Sequence, residues 1–208
     1  MPDRWARLVA ASGWPVPASR VALDDLLARY AEPHRAYHDR THLAECLALL
    51  DEARAACADP RAVEVAIWFH DAVYDPRATD NEPASADLAD RQLAALGEPA
   101  AWVARVHQLI LDTAHRDEPA SADGALLVDI DLAILGADAA RFDAYDRAIR
   151  AEYAHVPEPA YRAGRSAVLR RFLDRRPIYR TPPMADRFEA AARRNLAAAI
   201  ARLGDGPA

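Results

Sequence analysis

Three histidines, His34, His38 and His42, recur at every fourth position, a spacing that on a helix lines imidazoles along one face. From His42 the same spacing runs on to Cys46 and Leu50, which aims that imidazole toward a core. His70 ends a second inward-facing stripe after Val63 and Ile67, and Asp71 follows it directly. Further on, Asp129 and Asp131 interrupt the apolar run from Leu126 to Leu135, and Leu127, Val128, Ile134 and Leu135 flank Asp131 at helical spacing. A lone buried carboxylate is costly, so it demands a cation, a metal or a proton. Taken singly, each feature has an ordinary structural reading: a histidine hydrogen-bonded in the core, or an aspartate paired with arginine or capping a helix. Taken together, two imidazoles and two carboxylates describe a mixed nitrogen and oxygen metal site suited to Mn, Fe, Co, Ni or Zn, with Mg as the harder-ligand alternative.

These residues need helices to position them, and the rest of the chain reads as helical. Apolar residues follow the helical period in Leu43, Cys46, Leu47 and Leu50, in Val103, Val106, Leu109 and Ile110, and in Phe188, Leu196, Ile200 and Leu203. Alanine, the best helix former, is abundant, and no alternating strand stands out. Breaks fall at Gly13 to Pro17, Ala58 to Pro60, Asp75 to Pro83, Gly97 to Pro99, Arg116 to Gly124, Pro157 to Pro159 and Pro177 to Pro183. The expectation is an all-α chain of about nine or ten helices. Its 208 residues are read as a single domain, with roughly the first 20 residues and the C-terminal helix as additions.

Composition removes several function classes. All 26 basic residues are arginine, so no Schiff-base or phosphate-loop lysine exists, and the scattered glycines form neither a GxGxxG turn nor a Walker loop. A net charge of −6 disfavours an extended nucleic-acid surface or an anionic-membrane surface. The longest uncharged run, Leu8 to Ser19, is interrupted by Gly13, Pro15 and Pro17 and is too short to span a bilayer. Cys46 and Cys57 lie about 16 Å apart along a helix axis, too far to bridge. They are read as reduced thiols, and with Asp3, Arg4 and Arg7 making a poor signal-peptide start the chain is expected to be cytoplasmic.

The segments Arg35-Ala-Tyr-His38-Asp-Arg-Thr-His42-Leu, Ala66-Ile-Trp-Phe-His70-Asp71 and Asp129-Ile-Asp131-Leu132 resemble the HD superfamily of metal-dependent phosphohydrolases. Asn81-Glu82-Pro83-Ala84-Ser85-Ala86, Thr113-Ala-His115, Leu132-Ala-Ile-Leu-Gly136 and Gly164-Arg165 extend the likeness to a bacterial subgroup of predicted HD phosphohydrolases, over about residues 20 to 203. The resemblance implies an HD-type helical bundle with His42, His70, Asp71 and Asp131 as ligands of a divalent metal ion. It also implies hydrolysis of a small-molecule phosphate ester, a nucleotide or a relative of one, by metal-activated water.

Tyr37-His38 followed by His42 is similar to the start of the cyclic-nucleotide phosphodiesterase signature, which implies His38 as general acid. Those enzymes carry asparagine next, where this chain has Asp39, and an adjacent carboxylate favours the imidazolium that an acid catalyst needs. Glu82 is a second acid or base candidate, although beside Pro83 its carboxylate would equally suit a helix start. With lysine absent, Arg35, Arg116 and Arg165 are candidates to neutralise phosphate. His115 is a candidate for phosphate or a second metal, His107 is read as structural, and Trp68, Tyr74 and Trp102 are available for base stacking or for the core. Two alternatives share the scaffold: a di-iron oxygenase drawing on His107 and His115, and a non-catalytic helical binding module stapled by its metal.

Overall fold

A computed structural model describes residues 1–204, and among these ten α-helices form and no strand does, in agreement with the all-α expectation. The described residues group into two compact units divided between Val128 and Asp129. The first contains α1 (Pro2–Ser12), α2 (Val16–Arg29), α3 (Arg40–Ala53), α4 (Pro60–Phe69), α5 (Asn81–Ala95), α6 (Ala100–Asp112) and most of α7 (Ala122–Asp131). The second contains α8 (Ala139–Glu152), α9 (Glu158–Leu173) and α10 (Pro182–Gly204), preceded by a 3₁₀ segment at Leu132–Gly136. No helix among the described residues is long and apolar enough to cross a membrane.

Helix α4 is the centre of the first unit. Every residue from Ala62 to Phe69 is buried, because this short helix is apolar nearly all round and α3, α5 and α6 pack against it. Its one buried charge, Glu64, is matched by Arg4 at 2.9 Å and Arg54 at 2.8 Å. Asp59 caps the start of α4, accepting from the Ala62 amide at 3.0 Å, and Pro60 sits at the first helical position, where its missing N–H costs nothing. Gly13 ends α1 at φ 67°, a left-handed conformation that suits glycine, and lets the Trp14 amide return to the Val9 carbonyl.

The spacing of His34, His38 and His42 does not correspond to a helix. Helix α2 ends at Arg29 and α3 begins at Arg40, so His34 and His38 lie in the turns between them. The local chemistry explains the break: Pro33 cannot donate a backbone hydrogen bond, and Asp39 turns its carboxylate onto the Thr41 and His42 amides at 2.7 and 3.3 Å as the N-cap of α3. The capping reading therefore belongs to Asp39.

In the second unit, α10 packs along α9 and across the 3₁₀ segment. Gly136 permits that crossing: a Cβ there would lie 2.6 Å from the Phe188 Cβ and 2.7 Å from its carbonyl oxygen. Asp129 is fully buried and accepts from the Arg180 amide at 2.9 Å and from both the amide and hydroxyl of Thr181 at 2.6 Å. It anchors the entry to α10. It is Asp129 that is fully enclosed, while Asp131 at the end of α7 is half-buried.

Candidate metal centre

Two helix ends of the first unit bring the imidazoles together. His42 lies in the first turn of α3 and His70 caps the C-terminus of α4, and both are 2% exposed. Their Nε2 atoms are 3.2 Å apart. Asp71, the next residue after α4, sets its Oδ2 3.0 Å from His70 Nε2 and 3.4 Å from His42 Nε2. The three side chains expected at the start of a metal site thus meet at one point.

The protonation of His70 follows from its other nitrogen. Nδ1 lies 2.9 Å from the Ile67 carbonyl, which only accepts, so Nδ1 carries a hydrogen and neutral His70 offers Nε2 as a lone pair. That lone pair faces the acceptor oxygen of Asp71. Two acceptors held 3.0 Å apart call for a positive charge shared between them, either a proton or a metal ion. Burial pushes the Asp71 carboxyl upward, yet the neighbouring His70, His42 and His38 outweigh it and hold the carboxyl well below the usual carboxylate range. Asp71 is an anion poised for a cation.

Cys46 adds a donor that the sequence pattern had assigned only to the core. Its Sγ sits 3.7 Å from His42 Nδ1 and 3.8 Å from Nε2, and His42, Cys46 and His70 each offer a ligand atom within 4.8 Å of the others. The signal was present in the four-residue step from His42 to Cys46. Two imidazoles with a carboxylate against both could hold a metal ion.

No family model, curated protein or solved structure matches the chain. The site is therefore characterised by its own geometry. His38 is close to it, with ring centroids 6.0 Å from His42, 5.0 Å from Tyr37 and 4.2 Å from Tyr74. Asp39, the residue after His38, is engaged as the cap of α3.

Arg35 does not extend toward a ligand. Its side chain is fully enclosed and donates from Nη1 to the carbonyls of His38 at 2.9 Å and Asp71 at 2.7 Å, and from Nη2 to Ala72 at 3.1 Å. Tyr30 and Tyr74 flank the guanidinium, and the Tyr30 hydroxyl, whose pKa burial pushes up to about 12, accepts from the Asp71 amide at 3.3 Å. The geometry thus corrects the expectation of a phosphate-binding Arg35. Arg35 is a staple joining the turn before α3 to the turn after α4.

The other expected residues have partners of their own. Arg165, in the second unit, is held by Asp146 at 3.1 Å. Arg116 is exposed and donates to the Thr79 carbonyl, gripping the loop that follows His70 and Asp71. Glu82 stands half-buried in the first turn of α5, where its charge suits the helix dipole, and Asn81 and Ser85 on either side tie that turn to Asp75 and Val73. His115 lies beyond the end of α6 in a left-handed conformation, φ 55°, so it does not continue the helix of His107. His107 meets Asp90 at 2.9 Å in a separate group with Asp87. Trp68 is wholly buried and Trp102 donates to Asp59, which places both in structural roles.

Proposed function

We propose that this chain is a metal-dependent hydrolase of a small phosphate ester, a nucleotide or a related molecule, with His42, His70 and Asp71 at its metal centre. The observation carrying the reading is the convergence of His42 Nε2, His70 Nε2 and Asp71 Oδ2 within 3.4 Å, with His70 Nδ1 turned onto Ile67. The resemblance of the three motifs to the HD superfamily supplies the reaction class and adds Asp131 as a fourth ligand. A divalent ion bound there would lower the pKa of water toward neutrality and polarise a phosphoryl oxygen.

The remaining work belongs to the protein. Burial of the two imidazoles excludes bulk water from one side of the centre and strengthens electrostatics there. His38 is assigned the proton delivered to the departing oxygen, supported by its closeness to His42 and by the Tyr37 and Tyr74 rings against it. Arg116 is assigned the phosphate, since it is exposed and anchored to the loop after Asp71, whereas Arg35 and Arg165 are engaged elsewhere. Glu82 remains the second candidate for acid or base work. The oxygenase alternative draws on His107, which stands in a separate group with Asp87 and Asp90.

The test is metal analysis of protein purified without chelator, followed by a phosphate-release screen on the same sample with Mn, Co, Ni, Zn and Mg. The expected result is about one equivalent of transition metal per chain and ester hydrolysis that His70→Ala abolishes. Absence of bound metal, or of phosphate release across nucleotide and simple esters under every metal, overturns the reading. Oxygen consumption by an iron-loaded sample would favour the oxygenase instead.

A further inference from the structure

Tyr74 stands in the loop between α4 and α5, yet the main chain on either side of it is pinned. The Val73 amide donates to Ser85 Oγ at 3.0 Å, and the Ser85 hydroxyl donates back to the Val73 carbonyl at 3.2 Å. Asn81 does the same on the other side, its Oδ1 accepting from the Asp75 amide and its Nδ2 donating to the Asp75 carbonyl, each at 3.0 Å. The carbonyl of Tyr74 itself lies 2.8 Å from His34 Nε2, and because a carbonyl only accepts, that nitrogen carries the hydrogen. A loop residue tied on both sides and through its own carbonyl is fixed more firmly than connecting segments usually are.

The ring so placed lies against His38. Their centroids are 4.2 Å apart with planes tilted by 31°, an offset stack, and Tyr37 meets the same imidazole in a T-shaped contact at 5.0 Å. Rotation of an imidazole about its Cβ–Cγ bond is soft, so the plane of His38 is set by the rings packed on it. Tyr74 is 9% exposed, with His34 stacked at 6.3 Å and the Arg35 guanidinium 5.4 Å from its centroid, which leaves little of it for the base of a ligand. We propose that Tyr74 is the positioning residue for His38, fixing the plane of that imidazole beside His42, and that His34 in turn holds Tyr74. This role rests on the hydrolase reading above, in which His38 gives the proton, and deepens it by naming what aims the donor. A misaimed acid loses rate only where the departing oxygen needs a proton.

The experiment uses the full chain, loaded with the metal that gives the most phosphate release, on two esters. One is a nucleoside 5′-phosphate, whose alcohol leaves poorly without a proton, and the other is p-nitrophenyl phosphate, whose phenolate leaves readily. Tyr74→Leu is expected to lower kcat about 10–100-fold on the nucleotide and less than about 3-fold on the nitrophenyl ester, with KM little changed. Tyr74→Phe keeps the ring and should stay within about 3-fold of wild type on both. His34→Ala, at an exposed position, should repeat the nucleotide-selective loss at about 3–10-fold, and it decides alone if Tyr74→Leu does not fold. Added to His38→Ala, Tyr74→Leu should cost nothing more. In the metal-free chain, nuclear magnetic resonance relaxation should find the His38 side chain rigid in wild type and Tyr74→Phe and mobile in Tyr74→Leu. Equal losses on the two esters, additive losses in the double variant, or an equally rigid His38 in Tyr74→Leu make Tyr74 a packing residue and leave the hydrolase reading standing. Wild type that releases phosphate from neither ester under any metal removes the acid role of His38 and the positioning role with it.

Discussion

At the scale of single residues, the two histidines of the centre differ in how they are held. His70 is oriented by a carbonyl of its own helix, whereas His42 is held by packing and by its neighbours His70 and Cys46. Replacing His70 with alanine removes a donor atom as well as the partner of Asp71, so metal affinity should fall by more than about 100-fold, measured by competition with a chromophoric chelator. Arg35→Met should behave in the opposite way. It touches no expected ligand side chain, but it leaves the His38, Asp71 and Ala72 carbonyls without their donor, and denaturant unfolding should show a loss of about 2–4 kcal/mol. The sequence made the imidazoles legible because stripe position predicts which way a side chain faces, and the resemblance to the HD superfamily pointed to Asp71 beside His70. It could not reveal Arg35 as a staple, since that role depends on carbonyls 36 and 37 positions away, brought near only by the fold.

At the scale of elements, helix ends carry the design. Asp39, Asp59 and Asp138 each start a helix by accepting from its early amides, and alanine at position 59 should cost about 1 kcal/mol in chemical denaturation. The crossing of α10 over Gly136 is less forgiving, because the obstruction includes backbone. Gly136→Ala should cost about 1–3 kcal/mol and lower the thermal midpoint correspondingly. Helix count and most boundaries were legible because proline, glycine and aspartate have fixed consequences for the backbone. The stretch from His34 to His42 misled because a four-residue recurrence is necessary for a helical face but not sufficient. Pro33 and the capping preference of Asp39 outweigh it. Asp129 and Asp131 show the same limit. Both interrupt one apolar run, and only the amides at the entrance to α10 single out Asp129 as the structural carboxylate.

At the scale of the whole molecule, acid stability should reflect carboxylates shifted in opposite directions. Burial raises Asp59, but the Ala62 amide, the Trp102 indole and nearby arginines lower it further, so its folded pKa lies below the unfolded one. Its contribution is present above the ordinary carboxylate pKa of about 3.9 and is lost as pH falls through the folded value. Asp129 is raised, chiefly by burial, so its ionised form opposes folding and protonation relieves that cost as pH falls toward about 3.9. Thermal midpoints measured in chelator should therefore show the Asp59→Asn penalty shrinking below about pH 4. Asp129→Asn should lessen the pH dependence that wild type shows between that value and neutrality. One guanidinium, Arg35, holds the approaches to both imidazoles in register through peptide oxygens alone. An ion arriving there meets a socket already assembled, so calorimetry should record almost no heat-capacity change on loading, and a chelator should extract the ion while leaving the helices intact.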